Sequence, residues 1–164
     1  MSASGPVRRA KDGGKNDWRT PPELFHLLDR EFRFTLDAAA SEENALCPKF
    51  FTEEDDAFEQ YVEAERVWCN PPFGKLRPWI DLFNSWDDWA EVIVALLPAA
   101  TDTEWFAEVA ATATEVRLLS GRVKFINPLT GKPDGSNTTG SIVAIWDHSP
   151  RPQTCFAWNW RCEL

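Results

Sequence analysis

Apolar residues recur at helical spacing at Leu24, Phe25, Leu27 and Leu28, directly after Thr20-Pro21-Pro22-Glu23. That quartet predicts a capping box, with Thr20 as N-cap, Pro21 at the first helical position and Glu23 at the third. Phe32, Phe34 and Leu36 alternate, which predicts a strand ending at Asp37. The acidic stretch from Ala38 to Glu65 shows no clear period. Arg66-Val67-Trp68-Cys69 is short, apolar and β-prone, and stops at a double proline. Residues 76–90 read as an amphipathic helix. The near-continuous apolar run from Glu91 to Leu97 is what a central parallel strand buried on both faces requires. A further helix is expected over 102–113. Val116 and Leu118, then Val123 and Phe125, predict two short strands around Gly121. Asn127 to Gly140 is polar and rich in Gly, Pro, Asn and Thr, the composition of a loop. Ile142 to Trp146 predicts a last strand, and the Trp-rich tail after Pro150 has no assignable pattern. Residues 1–16, rich in Gly, Ser and basic side chains, read as a flexible arm.

Helices and strands in alternation imply an α/β layered sheet. Ligands in open α/β sheets bind outside the carboxyl ends of strands. Asp37 and Asn70 sit at two such ends, so both are site candidates from position alone.

A length of 164 residues suits one domain, taken here as 17–164. No apolar stretch is long enough to span a bilayer, and the first residues lack the apolar core of a secretory signal, so a cytoplasmic protein is expected. The cysteines (Cys47, Cys69, Cys155 and Cys162) form no C-x-x-C pair and only two histidines are present, so no metal site is expected and the thiols should be reduced. The net charge of -9 argues against a nucleic-acid partner until its distribution is examined. Residues 23–114 carry twenty acidic and six basic side chains; residues 1–22 and 115–151 carry five basic each, against two and three acidic. The acid is confined to the middle, and the flanks can supply a basic strip if the fold joins them.

Asn70-Pro71-Pro72-Phe73 has a specific chemical use. Two prolines fix φ and remove N–H groups, which gives a rigid turn that presents carbonyls. The Asn70 side-chain oxygen and the Pro71 carbonyl can accept both hydrogens of one exocyclic amino group. That grip pulls the amino nitrogen toward tetrahedral geometry and frees its lone pair to attack a sulfonium methyl. Phe73 offers a flat face for an extruded base. Positioning supplies most of such catalysis. The competing reading is a plain turn after a buried strand.

Several motifs in order resemble the phage-type DNA N-6-adenine methyltransferases. They are Asp17-Trp18-Arg19-Thr20-Pro21, Leu36-Asp37-Ala38-Ala39-Ala40-Ser41, Asn44-Ala45-Leu46-Cys47, Phe51-Thr52-Glu53-Glu54-Asp55-Asp56, Trp68-Cys69-Asn70-Pro71-Pro72-Phe73, Leu97-Pro98 with Thr101-Asp102-Thr103, and Gly121-Arg122-Val123-Lys124-Phe125. The resemblance implies a compact Rossmann-like fold, S-adenosylmethionine (SAM) as methyl donor and double-stranded DNA as partner. It implies that Trp18, Thr20 and Pro21 pack on the methionine part of the donor. Asp37, followed by Ala38, would take its ammonium. Asp56, or Asp55 in its place, would accept from the donor's adenine amino group, and Phe58 would stack on that ring. This chain departs from related methyltransferases in three ways. Alanines stand where a Gly-rich turn is usual after the first strand. About thirty residues separate Asp37 from Asn70, too few for two full βα units, so a trimmed, mostly parallel sheet is expected. Phe73 replaces the commoner Tyr.

Plainer roles compete at several positions. Thr20 also suits a simple N-cap. Thr101, with Asp102 and Thr103, either lies near the target base or starts a helix. Arg122 and Lys124 either line a phosphate groove or face solvent. Residues 126–140 form a candidate DNA-recognition loop or a plain connection. Two alternatives to DNA adenine remain at this level: another acceptor amino group (cytosine N4, RNA adenine or glutamine), or a non-catalytic acidic DNA mimic. Oligomeric state has no signal in the sequence.

Overall fold

The computed structural model describes residues 18–135 and 137–164; the arm expected over 1–16 lies outside them. Helix α1 is Pro22–Phe32, and its buried face is Leu24, Phe25, Leu27 and Leu28, as the spacing predicts. The capping box does not form. Pro21 is the N-cap, with ψ 129°, and no side chain caps the helix. The cause is local: a residue that precedes proline is driven out of the helical region. Pro21 therefore stays extended and Pro22 becomes the first helical residue. The strand expected through Phe32 and Phe34 is also shorter, because α1 runs to Phe32 and Arg33 ends it in a left-handed conformation. Strand β1 is only Leu36–Asp37.

The remaining strands are β2 (Lys49–Phe50), β3 (Arg66–Cys69), β4 (Val92–Pro98), β5 (Glu115–Leu119), β6 (Phe125–Ile126), β7 (Pro133–Asp134), β8 (Ser141–Asp147) and β9 (Thr154–Trp158). Helices α2 (Leu76–Trp86) and α3 (Glu104–Thr112) fall within the predicted spans, and Thr103 caps α3 by accepting from the Phe106 N–H. Seven strands form one sheet in the order β2-β1-β3-β4-β8-β5-β9. Only β8 runs against the others, so the sheet is mostly parallel. This is a compact Rossmann-like α/β fold. It is trimmed where the spacing demands: between β1 and β3 the chain has room for the two-residue β2 and a short 3-10 turn at Ala57–Glu59.

Strand β4 shows how the layers form. Val92, Val94 and Leu96 pack with the buried face of α1, while Ile93, Ala95 and Leu97 pack with Ile80, Phe83 and Val109 of α2 and α3. Period-two alternation with apolar residues on both faces leaves no solvent side, which explains the continuous apolar run. Its pairing corrects one expectation. β4 is parallel to β3 but antiparallel to β8.

The expected strand through Val123 is not formed. Residues 122–124 are irregular, and β6 begins at Phe125 to pair with β7 in a separate two-stranded hairpin. The candidate recognition loop is therefore built around a β-hairpin. Asn127 organises its turn by accepting from the Leu129 and Thr130 N–H groups. The unassigned tail supplies edge strand β9. No helix among the described residues is long and apolar enough to cross a membrane.

Candidate active site

The carboxyl ends of β1 and β3 open onto a cavity of about 300 Å³. Its lining includes Trp18, Thr20, Asp37 and Asn70, four residues marked by the sequence. Arg19, Leu46 and Ile126 also contribute, residues that fall in marked segments but were given no individual role. Pro22 and Ala39 line it where Pro21 and Ala38 were expected.

Asp37 is only 3% exposed. Its Oδ2 accepts from the Leu46 N–H at 3.1 Å, and its Oδ1 accepts from the Ala39 N–H at 3.4 Å. Burial pushes its carboxyl up to about 6, against the pull of those two N–H groups. A carboxylate so desolvated is costly without a cation beside it. The alanine turn allows this arrangement. The chain after β1 folds back so that Leu46 reaches Asp37, and Ala40 N–H bonds the Phe51 carbonyl at 3.0 Å.

Asn70 ends β3 and lines the same cavity. Its Nδ2 donates to the Thr20 hydroxyl at 3.2 Å and to the Trp18 carbonyl at 3.4 Å. With the nitrogen so engaged, the amide leaves Oδ1 on its opposite edge, accepting from no described residue. Thr20 is buried, and the backbone beside it is pinned. Arg19 N–H donates to the Ile126 carbonyl at 3.0 Å, and Ile126 N–H donates back at 2.9 Å. The β6–β7 hairpin thus borders the cavity. Pro71 is buried; Phe73 is half-buried and meets Phe125 edge to face at 5.8 Å between ring centres. Phe73 is not part of the cavity lining.

Other marked residues lie elsewhere. Asp55 closes a local turn, taking the Thr52 N–H and hydroxyl at 2.8 Å each, and the Thr52 N–H holds its carboxyl below the ordinary range. Asp56, at φ 52°, caps the following 3-10 turn by accepting from the Phe58 N–H at 3.1 Å. Phe58 is 45% exposed and packs on Trp79 at 5.0 Å. These three follow the carboxyl end of β2, the same edge of the sheet as Asp37, but they do not line the cavity. Thr101 is exposed between β4 and α3. Arg122 and Lys124 are exposed beside the hairpin, and Arg161 fastens that loop by donating to the Ser120 and Arg122 carbonyls at 3.0 and 2.7 Å. Among the described residues, no group of three or more His, Cys, Asp or Glu could hold a metal ion.

A family model described as DNA N-6-adenine-methyltransferase (Dam) matches residues 8–164. Two relatives carry the name DNA N-6-adenine-methyltransferase. The one from Escherichia phage T1 is 31% identical over 151 residues, covering 82% of this chain and 63% of its own length. The one from Haemophilus phage HP1 (strain HP1c1) is 28% identical over 147 residues, covering 84% of this chain and 82% of its own. The match thus spans less than two thirds of the first relative's length.

Proposed function

This chain belongs to the DNA N-6-adenine-methyltransferase family, and on that premise we propose that it methylates the N6 amino group of adenine in double-stranded DNA, with SAM as donor. One observation carries the reading. Asn70 holds its amide nitrogen on Thr20 and Trp18 and its oxygen accepts from no described residue, at the rim of a cavity whose wall contains a buried carboxylate.

The residues present suit the methionine end of the donor. Asp37 would face its ammonium, which relieves the cost of a desolvated carboxylate. Trp18 supplies an aromatic ring of the kind that attracts a sulfonium cation. The donor, when bound, supplies an electrophilic methyl group. The remaining work belongs to the chain. Asn70 Oδ1 and the Pro71 carbonyl accept the two amino hydrogens of a flipped adenine and orient its nitrogen. Phe73 supports the turn and offers a stacking surface. The proton leaves after transfer, so no strong base is required. Arg122 and Lys124, with the hairpin of 126–140, contact the DNA backbone and groove. Asp56, or Asp55 in its place, would accept from the donor's adenine amino group along the same sheet edge, and Phe58 would stack on that ring.

The test is incubation with methyl-labelled SAM and unmethylated DNA, followed by nucleoside analysis. Label in N6-methyladenine is expected; label only in another nucleoside, or none, overturns the assignment. The raised Asp37 carboxyl adds a second expectation. The ammonium binds the ionised form, so donor affinity rises as pH climbs through about 6 and levels off above it. At pH 5 the dissociation constant should be roughly tenfold weaker than on the plateau. Calorimetry from pH 5 to 8 reads this slope, and Asp37→Asn should flatten it. A wild-type affinity independent of pH over that range removes Asp37 from the ammonium site.

A further inference from the structure

We infer that the protein self-associates through β9: two copies pair these edge strands antiparallel, across a two-fold axis at Phe156. The inference stands apart from the methylation reading and uses none of the cavity residues.

The two edges of the seven-stranded sheet are built differently. At one edge β2 has only two residues, with Pro48 before it and Lys49 within it. Residues 42–65 around that strand carry nine acidic side chains and one basic. Short length, proline and charge are the usual guards of an open edge. At the other edge β9 has five residues, and 153–160 contain no charge, proline or glycine. Cys155, Phe156 and Ala157 are exposed, Phe156 at 42%. Leu118, the neighbour of Ala157 on β5, is 37% exposed. The flanking chain turns away from this edge. Downstream, the 3-10 turn at Trp160–Glu163 tucks toward α1, where Trp160 is buried and the Glu163 carbonyl accepts from Arg30. Upstream, the Gln153 side chain donates to the Ala110 and Ala113 carbonyls at the end of α3.

The backbone phase fixes the register. Thr154 N–H donates to the Thr114 carbonyl and Ser120 N–H to the Trp158 carbonyl, at 3.1 and 2.9 Å. Alternation along a parallel ladder then turns the N–H and C=O groups of Thr154, Phe156 and Trp158 toward β5, and those of Cys155 and Ala157 outward. An antiparallel second copy satisfies the outward groups when Cys155 of each copy faces Ala157 of the other, each pair exchanging both N–H···O bonds. The two Phe156 side chains then meet across the axis in the closer, non-hydrogen-bonded kind of pair, where aromatic contacts stabilise a sheet.

Charge says why the occupant is a second copy. Residues 23–114 carry twenty acidic and six basic side chains, whereas residues 115–164 carry four acidic and six basic. Joined at β9, two copies hold their acidic β2 edges at opposite ends of the combined sheet, which keeps self-repulsion low. Joined at β2, they would oppose those carboxylates directly. A two-fold contact also closes on itself and uses up both β9 edges.

Sedimentation velocity on the full chain tests this. Two five-residue edges make a small interface of the weak class. The mass should therefore rise from 18.7 kDa toward twice that value as concentration is raised from about 10 to about 1,000 µM. A157P removes an outward N–H and leaves the bonds to β5 in place. F156K sets two like charges on the axis. Each should weaken association at least about tenfold while the circular dichroism spectrum stays that of wild type; either serves if the other does not fold. W89K, at an aromatic 53% exposed elsewhere, should leave association unchanged. A157C in a C162S background sets a thiol opposite Cys155 of the second copy, at the Cα spacing of about 5.5 Å typical of a hydrogen-bonded pair and within disulfide reach. On mild oxidation A157C/C162S should run as a covalent dimer and C162S alone should not. The inference is overturned by a monomer at every concentration, by growth beyond a dimer, or by association that the folded edge variants leave intact. It is equally overturned if W89K weakens association as much as F156K, or if A157C/C162S gives no covalent dimer.

Discussion

Asn70→Ala is expected to lower kcat for DNA adenine methylation about 10²–10³-fold, the usual cost of removing one preorganised polar contact to the reacting group. The substitution deletes the acceptor oxygen and nothing that touches the donor's ammonium. Affinity for SAM should therefore stay within about threefold of wild type, so that the loss falls on kcat rather than on binding. The fold should survive, because among the described residues the amide bonds only to Thr20 and Trp18 at the cavity rim. Steady-state rates with labelled donor, alongside calorimetry, measure both quantities. Retention of kcat within about threefold of wild type would show that the Asn-Pro-Pro-Phe turn is scaffolding.

The largest stability effect is expected far from that cavity, at Arg117 on β5. Arg117 is 8% exposed, and its guanidinium donates through Nη1 and Nη2 to both carboxyl oxygens of Glu31, at 2.7 and 2.6 Å. Its Nε donates to Glu115, which is 4% exposed and also accepts from Arg151 at 2.6 Å. The Trp158 and Phe32 rings lie 4.9 and 5.6 Å from the guanidinium carbon. One side chain thus joins α1, β5 and β9. Arg117→Ala leaves Glu115 buried with one cation in place of two and opens a gap between two aromatic rings. Removing one partner of a buried ion pair costs about 3–5 kcal/mol. Arg151 remains, so the lower end applies, about 3 kcal/mol, which for a chain of this size lowers Tm by roughly 6–12 °C. Arg117→Lys should lose about half as much, since an ammonium keeps the charge but cannot form the paired contact to Glu31. Thermal unfolding followed by circular dichroism distinguishes these cases. A fall below about 2 °C in Arg117→Ala would mean the network contributes little.

Elements whose burial is complete could be read from residue pattern. β3 matches its prediction residue for residue, and β4 and α2 lie within one to four residues of theirs. Each is defined by apolar side chains that the core must hold. The misses follow where another force decides. The start of α1 was set by the Pro21-Pro22 pair, which outweighed the capping preference of Thr20. β2 has two residues, and its place depends on backbone bonds to β1. β9 carries exposed Cys155, Phe156 and Ala157 between half-buried Thr154 and buried Trp158, so it has no apolar period to detect. Asp37 and Asn70, marked because ligands in open α/β sheets bind at strand ends, both line the cavity. Leu46 and Ile126 were given no individual role, because their part is played by backbone N–H and carbonyl groups that every residue possesses. Asp55 and Asp56 were marked by residue type, and in the structure both bond within their own turns. An acidic side chain in a turn bonds to its own backbone, and residue type alone does not separate that role from ligand contact.

The lone reversed strand has a consequence for how the chain acquires its shape. β8 lies between β4 and β5, although it follows both in sequence. Neither of those strands can gain its missing neighbour until residues 141–147 have emerged from the ribosome. Up to that point the nascent polypeptide displays two apolar strands with open edges, a state prone to aggregation. Premature termination anywhere before residue 141 should therefore yield insoluble material rather than a smaller folded domain.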